Sequence, residues 1–243
     1  MKPKIWIYIF IWMGFVVMIS DSCSKDEDSI TTVRPPMPIT VKDIDGNVYH
    51  TVKIGHQVWM VENLKTSRYN NGDIIRNITD SAQWRDTRIG AWCSYLNSPA
   101  NNEIYGKLYN FIVVSTGKIA PIGWHVPSKN EWETLITYLD NDISGKLKET
   151  GTTHWLYNNW ASNLSGFTAL PGGYCGYVTA TPLFKGIGLN GIWWSSSTWI
   201  LFDNIIFIND ALGWALTLDG GYLLDKKSTS NGYSIRCIFD WTY

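Results

Sequence analysis

The segment Asn231-Gly232-Tyr233-Ser234-Ile235-Arg236-Cys237-Ile238 closes a tryptophan-rich chain and decides how its fold is read. Tyr233, Ile235 and Cys237 alternate with Ser234 and Arg236, the period of a strand with one face in a core. An arginine in that setting needs carboxylate or carbonyl partners, and a structural ion pair is expected for Arg236. Upstream lies Trp193-Trp194-Ser195-Ser196-Ser197, a second short strand. With Phe167–Ala169, Trp214–Leu218 and Tyr222–Leu224, these segments read as a small, twisted antiparallel sheet broken by glycines. The ensemble has the look of a compact display domain rather than an enzyme with a recognisable catalytic set.

Working towards the amino terminus, the clearest helix signal is Pro127-Ser128-Lys129-Asn130-Glu131. Ser128 as N-cap and Glu131 at N3 make a capping box, each serving an orphan backbone N–H. Trp132, Leu135, Ile136 and Leu139 follow at i, i+3, i+4 and i+7, one apolar stripe, and the helix should end near Asp140-Asn141. Gly145 to Trp160 reads as a loop with a helical turn at Lys146–Lys148, and Gly172-Gly173 as a tight bend. Asp45-Gly46-Asn47 between two β-favouring runs predicts a hairpin, and Gly55-His56 a second tight turn. Asn70-Asn71-Gly72-Asp73 predicts a turn, and Asp80–Trp84 the start of a short helix. No regular repeat is present.

At 243 residues the chain can build one sizeable domain. A formal net charge of −1 provides no field to gather nucleic acid. Charged residues make up only 17%, while Trp and Tyr number 14 and 13. Such rings mostly fill cores. Left exposed, they suit sugar or protein contact.

Residues 1–22 read as a lipoprotein signal peptide: a basic start, then an apolar run from Ile5 to Ile19 that is short for a membrane span. Ile19-Ser20-Asp21-Ser22-Cys23 resembles a lipobox, although Ser20 and Asp21 depart from the usual pattern. Cys23 is therefore the expected lipidation site, with acyl chains holding the protein on the outer membrane. Ser24-Lys25-Asp26-Glu27-Asp28 resembles the surface-export signal of Bacteroidetes lipoproteins. Residues 23–40 read as a flexible tether and residues 41–243 as the domain. Cys93, Cys175 and Cys237 remain, enough for at most one disulfide, in any of three pairings.

Candidate chemistry is sparse. His125 lies near Glu131 and Glu133, and a hydrogen-bonding role at the helix entry is expected. His50, His56 and His154 have no ligand spacing. Ser195-Ser196-Ser197 is not a nucleophile elbow, and its hydroxyls should satisfy backbone groups. The many loop Asn and Asp residues, Asn97, Asn101 and Asn102 among them, offer oxygens to calcium. No EF-hand or C-type lectin calcium signature accompanies them, so turn chemistry is expected, with no metal and no cofactor.

Several motifs occur in order: Asp43-Ile44-Asp45-Gly46-Asn47-Val48-Tyr49; Val52-Lys53-Ile54-Gly55-His56-Gln57-Val58-Trp59-Met60-Val61-Glu62-Asn63-Leu64; Tyr105-Gly106-Lys107-Leu108-Tyr109-Asn110; Pro121-Ile122-Gly123-Trp124-His125-Val126-Pro127; Glu131-Trp132; Ser165-Gly166-Phe167; Trp193-Trp194-Ser195-Ser196; and Ser234-Ile235-Arg236-Cys237. This series resembles the Fibrobacter succinogenes major paralogous domain of secreted and surface lipoproteins. The resemblance implies an α+β, C-type lectin-like fold: a small twisted antiparallel sheet, one or two helices and long ordered loops. It also implies kinship with formylglycine-generating enzymes, which bind copper through a cysteine pair near the carboxy terminus. Only Cys237 lies there, which argues against that oxidase chemistry. Ala120 stands where members often carry a cysteine, leaving Cys237 free or paired elsewhere.

The carboxy-terminal arrangement resembles the variable proteins of diversity-generating retroelements. That likeness implies exposed ligand-binding positions at Thr198, Trp199, Phe202, Asp203, Trp214, Tyr222, Lys226 and Lys227. The expected function is a surface-anchored, non-enzymatic binding or adhesion lipoprotein for a glycan or protein ligand. A structural envelope or fimbria-like subunit is the alternative.

Overall fold

Glycine turns set the amino-terminal meander. The computed structural model describes residues 37–157, 160–176, 184–199, 212–219 and 221–240. Strands β1 (Thr40–Lys42), β2 (Val48–Ile54) and β3 (Gln57–Met60) pair antiparallel. Gly46 (φ 85°) and Gly55 (φ 61°) make the two turns in the left-handed region that glycine enters at no steric cost. The Asp43 carboxylate accepts the Asp45 and Asn47 N–H groups at 3.0 and 2.9 Å, closing the first hairpin. Both expected hairpins are therefore present, as is the Asn70–Gly72 turn.

β4 (Arg76–Asn77) lies parallel to β5 (Ala91–Cys93), with α1 (Ser81–Asp86) between them in sequence. The Asp80 side chain caps α1 by accepting the Gln83 N–H. A 3₁₀ turn at Tyr95–Asn97 leads into α2 (Pro99–Tyr105), β6 (Leu108–Asn110) and α3 (Phe111–Ser115). After β7 (Trp124–His125) comes α4 (Lys129–Leu139), with both halves of the capping box formed. Trp132, Leu135 and Leu139 are buried, and Ile136 packs beside them. The turn expected at Lys146–Lys148 is α5 (Ile143–Leu147), one register earlier.

The remaining strands are β8 (Gly172–Cys175), β9 (Phe184–Ile187), β10 (Gly191–Trp199), β11 (Leu212–Leu218), β12 (Tyr222–Ser228), β13 (Gly232–Tyr233) and β14 (Ile238–Phe239). They complete a five-stranded sheet β1-β2-β3-β14-β7, a three-stranded sheet β10-β11-β12 and a six-stranded sheet β4-β5-β6-β13-β8-β9. Pairing is antiparallel apart from β4 with β5 and isolated bridges. The six-stranded sheet curls into a half-barrel. β6 and β13 separate β5 from β8, yet Cys93 Sγ and Cys175 Sγ lie 3.1 Å apart across its concave side.

The closing segment stitches these sheets together. β13 pairs with β6 and β8, and β14 with β3 and β7. Between them, Ser234 exchanges backbone hydrogen bonds with Trp194 and Ile192 of β10, each at 3.0 Å. Residues 233–238 are therefore buried on both faces, not on one as their alternation suggested.

β10 and β11 run between two apolar clusters. Ile192, Trp194 and Ala215 face Val58, Tyr109 and Ile235, whereas Trp193, Leu216 and Leu218 join Trp59, Trp132 and Phe167. Among the described residues seven tryptophans are buried, as the core-filling use of these rings predicts. Each such ring contributes on the order of 3 kcal/mol of burial.

The α+β class expected from the sequence is observed in its coarse form, a mixed structure of mostly antiparallel strands. The numbers of helices and sheets differ from those expected. Five α-helices and three strand ladders occur among the described residues, not one or two helices on one small sheet. Phe167–Ala169 is not a strand. Ala169 makes a single parallel bridge to Lys148, because the Phe167 carbonyl and ring are taken by Arg236.

Candidate functional site

The resemblance to variable proteins points to the ends of β10, β11 and β12. Trp194 pairs with Ala215 and Thr198 with Gly213, so extra residues bulge out of β10 at Ser195–Ser197. The serines anchor that bulge. Ser195 Oγ accepts the Ser197 N–H at 3.0 Å, and Ser197 Oγ accepts the Lys129 N–H at the start of α4, also at 3.0 Å. Their expected role as backbone partners is what the geometry shows.

Beyond the bulge Thr198 is exposed, and the register sets Thr198, Gly213 and Lys227 in one row across the sheet. Trp199, Leu212 and Ser228 form the next row, and Trp214 sits opposite Lys226. Backbone register thus brings Thr198, Trp199, Trp214, Lys226 and Lys227 to one end of the sheet. Tyr222, 46% exposed, pairs with Leu218 at the opposite end, about 16 Å away at roughly 3.3 Å per residue. Phe202, Asp203 and the lipidation candidate Cys23 lie outside the described residues.

His125 is half-buried between two carboxylates. Its Nε2 meets Glu131 Oε1 at 2.8 Å, and its Nδ1 meets Asp240 Oδ1. The Glu131 hydrogen bond raises its pKa above the ordinary histidine value; burial opposes this, and the Asp240 contact adds to it. Burial pushes the Glu131 carboxyl up, but hydrogen bonds from His125 and Ser128 more than offset this and hold it low. The charged triplet ties β7, α4 and the residue after β14 together. Glu133, the other acid considered beside His125, pairs with Lys129 instead.

Arg236 corrects an expectation, because its partners are neutral. Its Nε and Nη2 donate to Asn63 Oδ1 at 3.2 and 2.9 Å, its Nη1 donates to Phe167 O, and its guanidinium lies 4.1 Å from the Phe167 ring centroid. Burial lowers its pKa to about 9, so it remains a cation at neutral pH. Asn63 Oδ1 also accepts from Trp193 Nε1 at 2.7 Å, and Asn63 Nδ2 reaches Tyr105 O at 2.8 Å. Asn63 stands in one of the ordered motifs, but its role as a hub was not legible, since a single asparagine carries no periodic signal.

A second surface feature also escaped sequence reading. A cleft of about 230 Å³ is lined by Trp92 and the amides of Asn77, Asn97 and Asn102, with Lys107 among its walls. At its lip Leu96 and Asn97 both have positive φ, 53° and 54°, a conformation that strains leucine. Lys107 Nζ donates to Lys65 O at 2.6 Å and Ser67 Oγ, and sits 3.9 Å from the Trp92 ring centroid. Burial lowers its pKa, partly offset by Asp45, Asp43 and Glu103. The signal available was the asparagine content of this loop, read above as turn chemistry.

Among the described residues, no cluster of three or more His, Cys, Asp and Glu side chains could hold a metal ion. No described helix is long and apolar enough to cross a membrane. No curated protein and no solved structure matches the chain. The family model described as Fibrobacter succinogenes major domain matches residues 52–238. That span runs from the end of β2 through α4 and the three-stranded sheet to most of the closing segment, so the chain belongs to the Fibrobacter succinogenes major domain family.

Proposed function

We propose that this protein is a surface-exposed, outer-membrane lipoprotein, anchored through Cys23, whose lectin-like domain binds a glycan or protein ligand without catalysing a reaction. The observation that carries this reading is the packing of β10–β12. Its inner half is buried between two clusters, while Thr198 and Lys227 stay accessible at the outer end. A buried base with accessible strand ends is the arrangement of a display surface: recognition residues extend from a scaffold whose own packing they do not have to support. The family motifs support the division of labour. Asn63, Trp193 and Arg236 belong to them and are all internal.

The edge of β12 favours a second reading, since a donor strand could add there in a fimbria-like assembly. Asp225, Lys226 and Lys227 lie along that edge, and such charge discourages chain-to-chain pairing. The receptor reading is therefore preferred.

Glycan arrays and cell-surface pull-downs with the soluble domain should yield a ligand. Trp199→Ala or Trp214→Ala should weaken its binding about 10- to 30-fold, as for a central aromatic contact. Tyr222→Ala, at the far end of the sheet, should cost less. Silence across broad screens, or full affinity in both tryptophan variants, would sink the proposal.

A further inference from the structure

We propose that Cys93 and Cys175 become joined by a disulfide when the chain folds in an oxidising environment, closing the curled six-stranded sheet and leaving Cys237 a thiol. The inference rests on the export reading only for where the chain meets its oxidant.

The observation is a convergence that strand order does not foretell. Cys93 ends β5 and Cys175 ends β8, with two strands between them in the sheet. Curling brings the sulfurs to 3.1 Å, closer than the roughly 3.5–4.0 Å of ordinary carbon packing, although sulfur is the larger atom. A disulfide requires about 2.05 Å, so the approach still needed is on the order of 1 Å. Both thiols belong to one small apolar cluster with Ile78, Trp84, Tyr95 and Leu108. Cys237 lies in a different cluster, beside Tyr49 and Val58 on the path to β14. Of the three pairings the sequence leaves open, only this one joins sulfurs that already touch.

Gly232 supports the assignment. It pairs with Cys175 in the ladder, and a Cβ there would run into Cys175 Sγ and the Trp84 ring. The space beside the Cys175 sulfur exists because residue 232 has no side chain.

The chemistry must accompany folding and finish as the cluster closes, not follow it. Both thiols are fully buried, and burial pushes the Cys175 thiol well above its ordinary pKa. Neither of these two sulfurs is therefore open to attack a disulfide once the protein is folded. Before the cluster closes, the thiolate of one cysteine attacks a small-molecule or protein disulfide and releases one thiol. The other cysteine's thiolate then attacks that mixed disulfide and releases the second. Two cysteine thiols and one external disulfide become one internal disulfide and two external thiols, and the balance closes.

The test is thiol mapping of the full chain, refolded in a glutathione redox buffer and then alkylated in denaturant without reductant. A linked Cys93–Cys175 peptide with Cys237 alkylated is expected. Unfolding under reductant should then fall by about 10 °C, because the link spans a long loop. Alkylation of both Cys93 and Cys175, or a link from either of them to Cys237 or Cys23, would overturn the proposal. Cys237→Ser should keep the link, which holds the test open if Cys93→Ser or Cys175→Ser fails to fold. The same mapping on membrane-fraction protein addresses the export reading by itself. Linkage after refolding with reduced cysteines in the cell would count against export and leave the pairing standing.

Discussion

His125 shows how one residue can set a pH profile. Its folded pKa is raised, so its contribution to stability is fully present below the unfolded value near 6.5 and is lost as pH rises through the folded value. Glu131 is lowered, so its contribution is present above about 4.5 and is lost as pH falls through its folded value. Thermal melts should thus show this site contributing most between roughly pH 4.5 and 6.5. His125→Ala should lower the midpoint in that window and flatten its decline above it. An unchanged slope would mean that other groups carry the pH dependence. The role was partly legible, since Glu131 lies six residues from His125. Asp240 was not, because it lies 115 residues away.

At the scale of single elements, legibility followed locality. α4 was readable from cap to stop because its capping box and apolar stripe fall within a dozen consecutive residues. Ser128 Oγ donates to Glu131 Oε2 and accepts the Glu131 N–H, so Ser128→Ala should cost about 1 kcal/mol in chemical denaturation. A loss under about 0.3 kcal/mol would show the helix held by packing alone. α2 and α3 escaped for opposite reasons. α2 buries no residue, so it has no stripe to read. α3, Phe-Ile-Val-Val-Ser, is rich in β-branched residues and resembles a strand. The cleft escaped with it, because its walls come from β4, β5, the 3₁₀ turn and α2 itself, which the local signals do not connect.

For the molecule as a whole, the segment from Asn231 to Phe239 is the common member of three sheets. Ending the chain at Ser230 would take one neighbour from each of β6, β8, β3, β7 and β10 and remove the Arg236 cation that Asn63 and Phe167 receive. Such a truncation should show no cooperative unfolding transition by circular dichroism; a sharp one would show that the sheets stand without it. The glycine turns, the start of α1, the cap of α4 and the family itself were determined by the sequence alone, since each depends on residues a few positions apart or on motifs in order. Only the tertiary structure decided that Cys93 meets Cys175 across 82 residues and that Arg236 rests on Asn63 across 173. It also decided which of the expected binding positions share one end of a sheet. The physical reason is that backbone propensities act within a turn or two. Sheet curl, strand order and register arise from burying all the apolar faces at once, and no single segment encodes them.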